Sequence, residues 1–141
     1  MVPPATPSWS LDPQLARDTV LVGDLPLSRL LAMDDMAYPW LLLVPRWPGA
    51  TELLDLDEAD QSQLLRETTQ VGRALKDLTG CDKLNVAAIG NVVRQLHIHI
   101  VARRVGDPAW PRPIWGLASP VRHETESLVR FINALRSRLA L

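Results

Sequence analysis

Two histidines separated by a single isoleucine are the residues of this chain best suited to chemistry. They belong to the alternating segment 94–102, whose polar members include Gln95, His97 and His99 and whose apolar members include Leu96, Ile98 and Ile100. An apolar–polar period of two is typical of a strand with one buried face. The segment therefore predicts a row of polar side chains on one face of a sheet, about 6.5–7 Å apart along the strand.

The residues alone leave three interpretations of this row open. The first is a solvent-facing strand that happens to carry two histidines. The second is a metal site, because His-x-His on a strand directs two ring nitrogens the same way, although His123 is distant and Cys81 stands alone. The third is attack on phosphorus by one imidazole nitrogen while the other holds a proton against an acceptor. Neighbouring polar groups then hold the phosphoryl oxygens and the leaving group.

The stretch from Gly90 to Val101 resembles the motif of the histidine triad (HIT) family, in which three histidines alternate with hydrophobic residues. By position, His97 matches the central, nucleophilic histidine and His99 matches the last one. Gln95 stands in the place of the first histidine, so the triad is incomplete. The family often has Gly-Gln a few residues earlier, where this chain has Gly90-Asn91. The similarity runs from about residue 18 to about residue 104.

The resemblance implies a role for each member of the row. His97 would attack phosphorus, His99 would hydrogen-bond the phosphate or the leaving group, and Gln95 would offer its amide N–H to a phosphate oxygen. Asn91 is either a turn residue, which Asn favours, or an amide that binds a phosphate oxygen. No redox cofactor is implied and the row requires no metal, although a polyphosphate substrate can bring its own divalent cation.

Two further positions are candidates for nucleotide binding. Asp34 and Asp35 follow a predicted strand, where similar proteins have an acidic or amide side chain that hydrogen-bonds a ribose; the alternative is a solvated turn. Trp40 follows Pro39 at a place where the family often has Gly-His, so a further histidine of the usual site is missing. Trp40 is either a core residue or a wall of the nucleotide pocket.

Composition limits the class of protein. A chain of 141 residues that is 47% hydrophobic and 22% charged is expected to form one globular domain. A net charge of −1 argues against a nucleic-acid partner. One cysteine fits a reducing compartment, and there is neither an apolar run long enough to span a membrane nor a signal-like N-terminus. We therefore expect a cytoplasmic protein that does not bind membranes.

Local patterns place the remaining elements. An extended arm over 1–9 leads to a short helix that Ser10 caps, with Pro13 in its first turn. Strands are predicted at 19–23, 29–33, 40–45 and 83–89, and helices at 57–79 and 123–139. Asp57 caps the long helix and Gly80 ends it. The strand at 83–89 should pair with the histidine strand through a short link at Gly90-Asn91.

These elements predict an α+β fold with an antiparallel sheet of about five strands and helices over one face. We divide the chain into an N-terminal arm and short helix (1–17), a HIT-like core (18–104), and a Pro/Trp-rich segment with a C-terminal helix packed on the same domain (105–141). Arg103 and Arg104 at the end of the histidine strand are expected to be solvated, or to supply one contact to a phosphate. The resemblance implies a HIT-like fold and, commonly, a homodimer.

The predicted function is hydrolysis or transfer at the α-phosphate of a nucleotide, through a nucleotidyl group on His97. The substrate is expected to resemble dinucleoside polyphosphates or adenylyl conjugates. Two alternatives belong to other classes. One is a nucleotide-binding module with little turnover, which the substitutions at Gln95 and Trp40 favour; the other is a metal-binding protein that uses His97 and His99.

Overall fold

A computed structural model describes residues 1–2, 8–117 and 120–141 of the chain. In chain order its elements are α1 (Pro13–Asp18), β1 (Thr19–Asp24), β2 (Ser28–Met33), β3 (Trp40–Pro45), α2 (Glu58–Thr79), β4 (Lys83–Ala87), β5 (Ile98–Arg103) and α3 (Thr125–Leu139). The strands form a five-stranded antiparallel sheet in the order β1-β2-β3-β5-β4. This confirms the predicted α+β fold and the pairing of β4 with the histidine strand β5.

The main hydrophobic core lies between the sheet and the two long helices. It contains Leu41, Leu43, Ile98 and Ile100 from the strands, Leu64, Val71 and Leu75 from α2, and Leu128, Ile132 and Leu135 from α3. Each such side chain contributes about 1.5–3 kcal/mol when it is fully buried. In the described part of the chain, no helix is long and apolar enough to cross a membrane.

A smaller hydrophobic cluster covers the opposite face of the sheet. There Leu31, Leu42 and Val44 pack against Leu15 of α1, with Trp9 and Leu11 partly buried beside them. The expectation that helices cover one face is thus met by α2 and α3 but not by α1, which sits on the second face. Because β3 and β5 pair there with Leu42 opposite His99, this second face is also the one that carries the histidine.

The termini of α2 follow the predicted capping pattern. The Asp57 carboxylate accepts a hydrogen bond from the Asp60 N–H at 2.8 Å, and Glu58 and Asp60 lie at the positive end of the helix dipole. Gly80 ends the helix with a left-handed backbone (φ 60°), and its N–H donates to the Lys76 carbonyl oxygen. This long helix is therefore defined at both ends by local chemistry.

Several element boundaries differ from the sequence-based expectation. Asp12, and not Ser10, caps α1, because its carboxylate accepts from the Gln14 N–H at 2.8 Å. Most of the predicted arm over 1–9 falls on residues 3–7, which lie outside the described ranges. Strand β5 begins only at Ile98, and the link from β4 spans residues 88–97, so it is longer than predicted.

Arg103 is buried, with 1% of its surface exposed, which overturns the expectation of a solvated or phosphate-binding charge. Its guanidinium donates to both carboxylate oxygens of Asp107, at 2.7 and 2.9 Å, and to Asn85 at 2.8 Å. The rings of Tyr38 and Trp110 flank it at 5.8 and 5.5 Å. The pair holds the pKa of Asp107 below its usual value and raises that of Arg103. Arg103 thus fastens the end of β5 to the Pro/Trp-rich segment.

A second buried charge joins α2 to the β1–β2 turn. Glu67 is 1% exposed and accepts hydrogen bonds from the N–H groups of Leu27 and Ser28, at 2.8 and 2.9 Å, and from the Gln63 amide at 2.8 Å. These bonds satisfy two backbone donors that the turn leaves unpaired. A buried donor that loses its partner costs about 1–3 kcal/mol.

Replacing Glu67 by Ala is expected to lower the free energy of unfolding by about 2–4 kcal/mol, because two buried N–H groups lose their acceptor. Glu58→Ala, at an exposed position of the same helix, is the matched control and should cost less than about 1 kcal/mol. Urea denaturation followed by circular dichroism measures both. Equal stability of the two variants would show that Glu67 does not hold the turn.

Candidate functional site

A cavity of about 280 Å³ lies on the second face of the sheet. Its walls come from α1, the end of β2, the start of β3, the β4–β5 link, the histidine segment and the Pro/Trp-rich segment. The lining residues are Leu15, Asp18, Met33, Trp40, Leu42, Ile89, Gly90, Asn91, Val92, Val93, His97, His99 and Trp115. Both histidines are 7% exposed, which excludes the interpretation of a solvent-facing row.

The ring of His97 is oriented by its own main chain. Its Nδ1 lies 2.6 Å from the carbonyl oxygen of Gln95. A carbonyl oxygen can only accept, so this contact assigns the proton of the neutral ring to Nδ1 and leaves a lone pair on Nε2. One nitrogen is therefore held against an acceptor while the other is free to act as a nucleophile, as the sequence-based hypothesis requires.

His99 has the opposite tautomer. The indole N–H of Trp40 donates to His99 Nδ1 at 3.0 Å, and an indole nitrogen can only donate. Nδ1 of His99 is therefore an acceptor, and the proton of the neutral ring is on Nε2. Trp40 thus lines the cavity, as one of its two predicted roles states, and it also fixes the protonation pattern of the neighbouring histidine.

Aromatic rings enclose His99. Trp115 meets the His99 ring edge-on at 5.3 Å and the Trp40 ring at 6.4 Å, and the rings of His97 and His99 are 4.9 Å apart. Burial, and to a smaller extent the nearby His97, lowers the pKa of His99 to about 3. His99 is consequently a neutral hydrogen-bond donor at any pH near 7.

Gln95 lies away from the cavity. Its amide Nε2 donates to the Ser10 carbonyl oxygen at 2.8 Å, and its Oε1 accepts from the Asp12 N–H at 2.8 Å. Because strand β5 begins only at Ile98, the alternation that put Gln95 in one row with the histidines does not extend back to residue 95. The sequence-based expectation that this amide faces a phosphate is not supported by its position.

The acidic pair after β2 is also turned away from the cavity. Asp34 accepts from the His123 N–H at 2.8 Å and pairs with Arg122 at 3.2 Å. Asp35 is buried and accepts from the N–H groups of Ala37 and Val121 at 3.0 and 3.4 Å. Both carboxylates therefore close the turn after β2 onto the segment before α3, which argues against the predicted ribose contact.

The carboxylate on the cavity wall belongs to Asp18, at the end of α1. Sequence reasoning missed this residue, together with Leu15 and Met33. For the Pro/Trp-rich segment, which includes Trp115, the sequence left two roles open, to cover a core edge or to line the site, and Trp115 lines the cavity. Met33 could have been found from the alternation of β2, which puts it on the face of Leu31 and Leu42. No local signal identifies Asp18, because its position depends on how α1 folds over the sheet.

A polar cleft of about 220 Å³ adjoins the cavity. The two share Ile89, Gly90 and Asn91 as a common wall, and the cleft adds Thr51, Glu52 and Arg94. Asn91 is exposed and lines both spaces, so it borders the same cavity as the histidines. The site thus has a mainly apolar compartment that contains the histidines and a charged cleft that adjoins it across Ile89, Gly90 and Asn91.

The described residues contain no group of three or more His, Cys, Asp or Glu side chains that could hold a metal ion. His97 and His99 also differ in the direction of their hydrogen bonds, because Nδ1 donates in His97 and accepts in His99. Two imidazoles give fewer protein ligands than zinc sites use. The metal-site interpretation therefore has no support in the described geometry.

Comparison with known proteins identifies the family. The sequence profile of the HIT domain matches residues 14–106. A histidine triad protein from Bradyrhizobium japonicum is 56% identical, with a TM-score of 0.92, over 94% of this chain and 99% of that chain. One from Marinobacter aquaeolei is 40% identical, with a TM-score of 0.92, over 95% of this chain and 98% of that chain. One from Sinorhizobium meliloti is 40% identical, with a TM-score of 0.90, over 92% and 96%.

No curated protein matches the sequence. The profile match covers well over half of the chain, and with these relatives it shows that the chain belongs to the histidine triad family. Members of this family are often nucleotide hydrolases or transferases.

Replacing Trp40 by Phe is expected to allow the neutral ring of His99 to change its tautomer. Without the indole donor, Nδ1 of the neutral ring loses its hydrogen bond and can carry the proton instead. The pKa of His99 should rise from about 3 but stay below the ordinary value near 6.5, because burial still disfavours the charged ring. Nitrogen-15 NMR of the histidine rings between pH 2 and 8 measures both changes. Trp110→Phe, which removes a ring outside the cavity, should leave His99 unchanged. A His99 ring in native protein that is protonated on Nδ1 at pH 7 would contradict this assignment.

Proposed function

We propose that this protein is a nucleotide hydrolase or transferase that acts at the α-phosphate through a nucleotidyl group on His97. The observation that carries this proposal is the 2.6 Å contact between His97 Nδ1 and the Gln95 carbonyl oxygen, because it leaves the Nε2 lone pair free on a ring that lines a cavity. The membership in the HIT family supports the same class of reaction.

In the first step the Nε2 lone pair of His97 attacks the α-phosphorus. A P–N bond forms, the bond from phosphorus to the bridging oxygen breaks, and the leaving group departs with that electron pair. His97 then carries a positive charge, which its Nδ1–H shares with the Gln95 carbonyl oxygen. In the second step water attacks phosphorus, the P–N electron pair returns to Nε2, and a nucleoside monophosphate is released with loss of the water proton.

His99 assists this reaction as a neutral donor. Its Nδ1 is occupied by Trp40, so the Nε2–H is the group that remains to bond a phosphoryl or leaving-group oxygen. A donor fixed before the reaction stabilises charge that develops on those oxygens in the transition state. Since the pKa of His99 is about 3, this donor does not change its charge between pH 5 and 8.

The two compartments suit the two parts of such a substrate. Leu15, Met33 and Leu42 line the cavity and would offer apolar surface to a nucleobase, and the carboxylate of Asp18 on the same wall would accept hydrogen bonds from ribose hydroxyls. The leaving group would occupy the polar cleft, where Arg94 and Asn91 suit a phosphate-bearing group. Dinucleoside polyphosphates and adenylyl conjugates both divide in this way. We propose that no resident metal is needed and that any divalent cation arrives with the substrate.

We also propose a homodimer, in a cytoplasmic setting. Strand β4 lies at one edge of the sheet, where its unpaired backbone groups can meet another strand. Beside it is an apolar groove that includes Leu53, Leu64, Leu65, Val86 and Ile98, of which Leu53, Leu65 and Val86 are exposed. An exposed apolar groove along an open edge strand is typical of an interface.

Replacing His97 by Ala is expected to reduce nucleotide release from a dinucleoside polyphosphate by at least about four orders of magnitude, because the nucleophile is lost. The fold should persist, since the side chain lines a cavity. His123→Ala, outside the cavity, should retain near-native turnover. Turnover by His97→Ala within tenfold of native would rule out His97 as nucleophile. If native protein binds the dinucleoside polyphosphate but releases no nucleotide, the protein is the nucleotide-binding module that the sequence left as an alternative.

Replacing Asp18 by Asn is expected to raise KM for the same substrate about tenfold or more, because a hydrogen bond to a charged acceptor is worth about 1.5–3 kcal/mol. Asp34→Asn is the matched control. Its carboxylate is already engaged by Arg122 and the His123 N–H, so KM should change less than twofold. The reverse result, a rise in KM for Asp34→Asn alone, would restore the ribose role predicted from the sequence.

A further inference from the structure

The side chain of Gln95 connects two parts of the chain that are more than 80 residues apart in sequence. Its Nε2 donates to the carbonyl oxygen of Ser10 and its Oε1 accepts from the N–H of Asp12, each at 2.8 Å. The carboxamide therefore bonds the two backbone groups on either side of Leu11, much as the peptide group of a neighbouring strand would. We call residues 8–12 the N-terminal segment.

The N-terminal segment in turn determines where α1 begins. Asp12 is the N-cap of α1: its carboxylate accepts from the Gln14 N–H at 2.8 Å, and its carbonyl oxygen accepts from the Ala16 N–H at 3.0 Å. The helix has six residues and one buried side chain, Leu15. A helix this short is not stable by itself, so its position depends on the groups that hold its start.

Other contacts hold the same segment less specifically. Trp9 and Leu11 pack at the edge of the cluster formed by Leu31, Leu42 and Val44, and the Trp9 ring lies 5.1 Å from the Arg29 guanidinium. These contacts keep the segment on the sheet, but apolar packing and cation–π attraction tolerate a shift along the surface. The two directional bonds from Gln95 fix its position along the chain.

Helix α1 forms one wall of the cavity, in the compartment that would hold the nucleoside. Leu15 and Asp18 line it, and both are within six residues of the capped start of the helix. The backbone of Gln95 meanwhile holds the nucleophile, since its carbonyl oxygen receives the His97 Nδ1–H at 2.6 Å. Gln95 thus contacts the nucleophile through its main chain and, through its side chain, the segment that leads into the α1 wall of the cavity.

We propose that Gln95 is a positioning residue for substrate binding: its amide fixes the N-terminal segment, and through it α1, as the wall of the nucleoside compartment. This inference rests on the proposed function. It replaces the expectation that Gln95 acts as a weakened triad histidine that donates to the phosphate. The two ideas differ in which kinetic constant they affect, because a wall contributes to binding whereas a phosphate donor contributes to the chemical step.

The test compares native protein with Gln95→Leu and Gln95→His, using release of nucleoside monophosphate from a dinucleoside polyphosphate. Gln95→Leu should raise KM about tenfold with kcat within twofold of native. Gln95→His should also raise KM without a gain in kcat. The N–H and the lone pair of an imidazole diverge, whereas the oxygen and N–H of a carboxamide lie side by side and reach both backbone groups. Gln61→Leu, which removes an amide on α2 that bonds the Leu56 carbonyl oxygen, is the matched control and should change neither constant.

A double variant shows whether Gln95 acts through α1. If it does, KM of the double variant Gln95→Leu/Asp18→Asn should exceed native KM by much less than the product of the two single-variant fold-changes. Amide hydrogen exchange supplies a readout independent of turnover: residues 8–18 should exchange at least tenfold faster in Gln95→Leu, while α2 remains as protected as in native protein.

Three results would overturn the inference. They are a rise in kcat for Gln95→His at unchanged KM, a loss of kcat alone for Gln95→Leu, and unchanged exchange over residues 8–18. These results leave the proposed function standing if His97→Ala is inactive. If native protein releases no nucleotide, the proposed function fails, and the exchange measurement still decides whether Gln95 holds α1.

Discussion

The hydrogen bond from His97 Nδ1 to the Gln95 carbonyl oxygen is the contact on which the rest of the site depends. It selects the tautomer that leaves Nε2 with a free lone pair, on a ring that lines the cavity. Leu96, which lies between these two residues, fixes the geometry of the bond. Its side chain is 3% exposed in the main core, and the Leu96 N–H donates to the Ala50 carbonyl oxygen at 2.9 Å. The core between sheet and long helices thus orients the nucleophile through the backbone of a single buried residue.

The groups around His97 donate hydrogen bonds without carrying charge. His99 is kept neutral by burial and, to a smaller extent, by the nearby His97. The Trp40 indole occupies its Nδ1, and the Gln95 amide is occupied by the N-terminal segment. Hydrogen bonds from charged donors are roughly twice as strong as neutral ones. A site built from neutral donors is therefore expected to rely on positive charge from elsewhere, and the nearest candidates are Arg94 on the cleft and a cation carried by the substrate. This dependence would make the reaction rate sensitive to the substrate's own charge.

The sequence predicted what depends on periodicity and on local chemistry. The burial of Leu96, Ile98 and Ile100, the limits of α2 at Asp57 and Gly80, and the start of β3 at Trp40 all follow from patterns within a few residues. The position of Trp40 beside the histidines follows in turn from the pairing of β3 with β5.

These local patterns did not predict the contacts that a side chain makes with residues distant in sequence. Gln95 and Ser10 are 85 residues apart, and Asp34 meets His123 across 89 residues. Alternation states which face a side chain takes only while the strand continues, and β5 begins after His97. Whether a polar residue meets a substrate or a backbone group of another segment depends on packing that no short window contains. Asp18 is the converse case, since an unremarkable helical residue reaches the site because α1 lies on the sheet.

Trapping the covalent intermediate tests the central claim most directly. Native protein would be mixed with a stoichiometric amount of dinucleoside polyphosphate, quenched in base within milliseconds because phosphoramidates are labile to acid, and mapped by peptide mass spectrometry. If His97 is the nucleophile, the peptide that contains it should carry one nucleoside monophosphate group, bonded at Nε2. A group on His99, or complete conversion of substrate with no adduct at any time point, would contradict it.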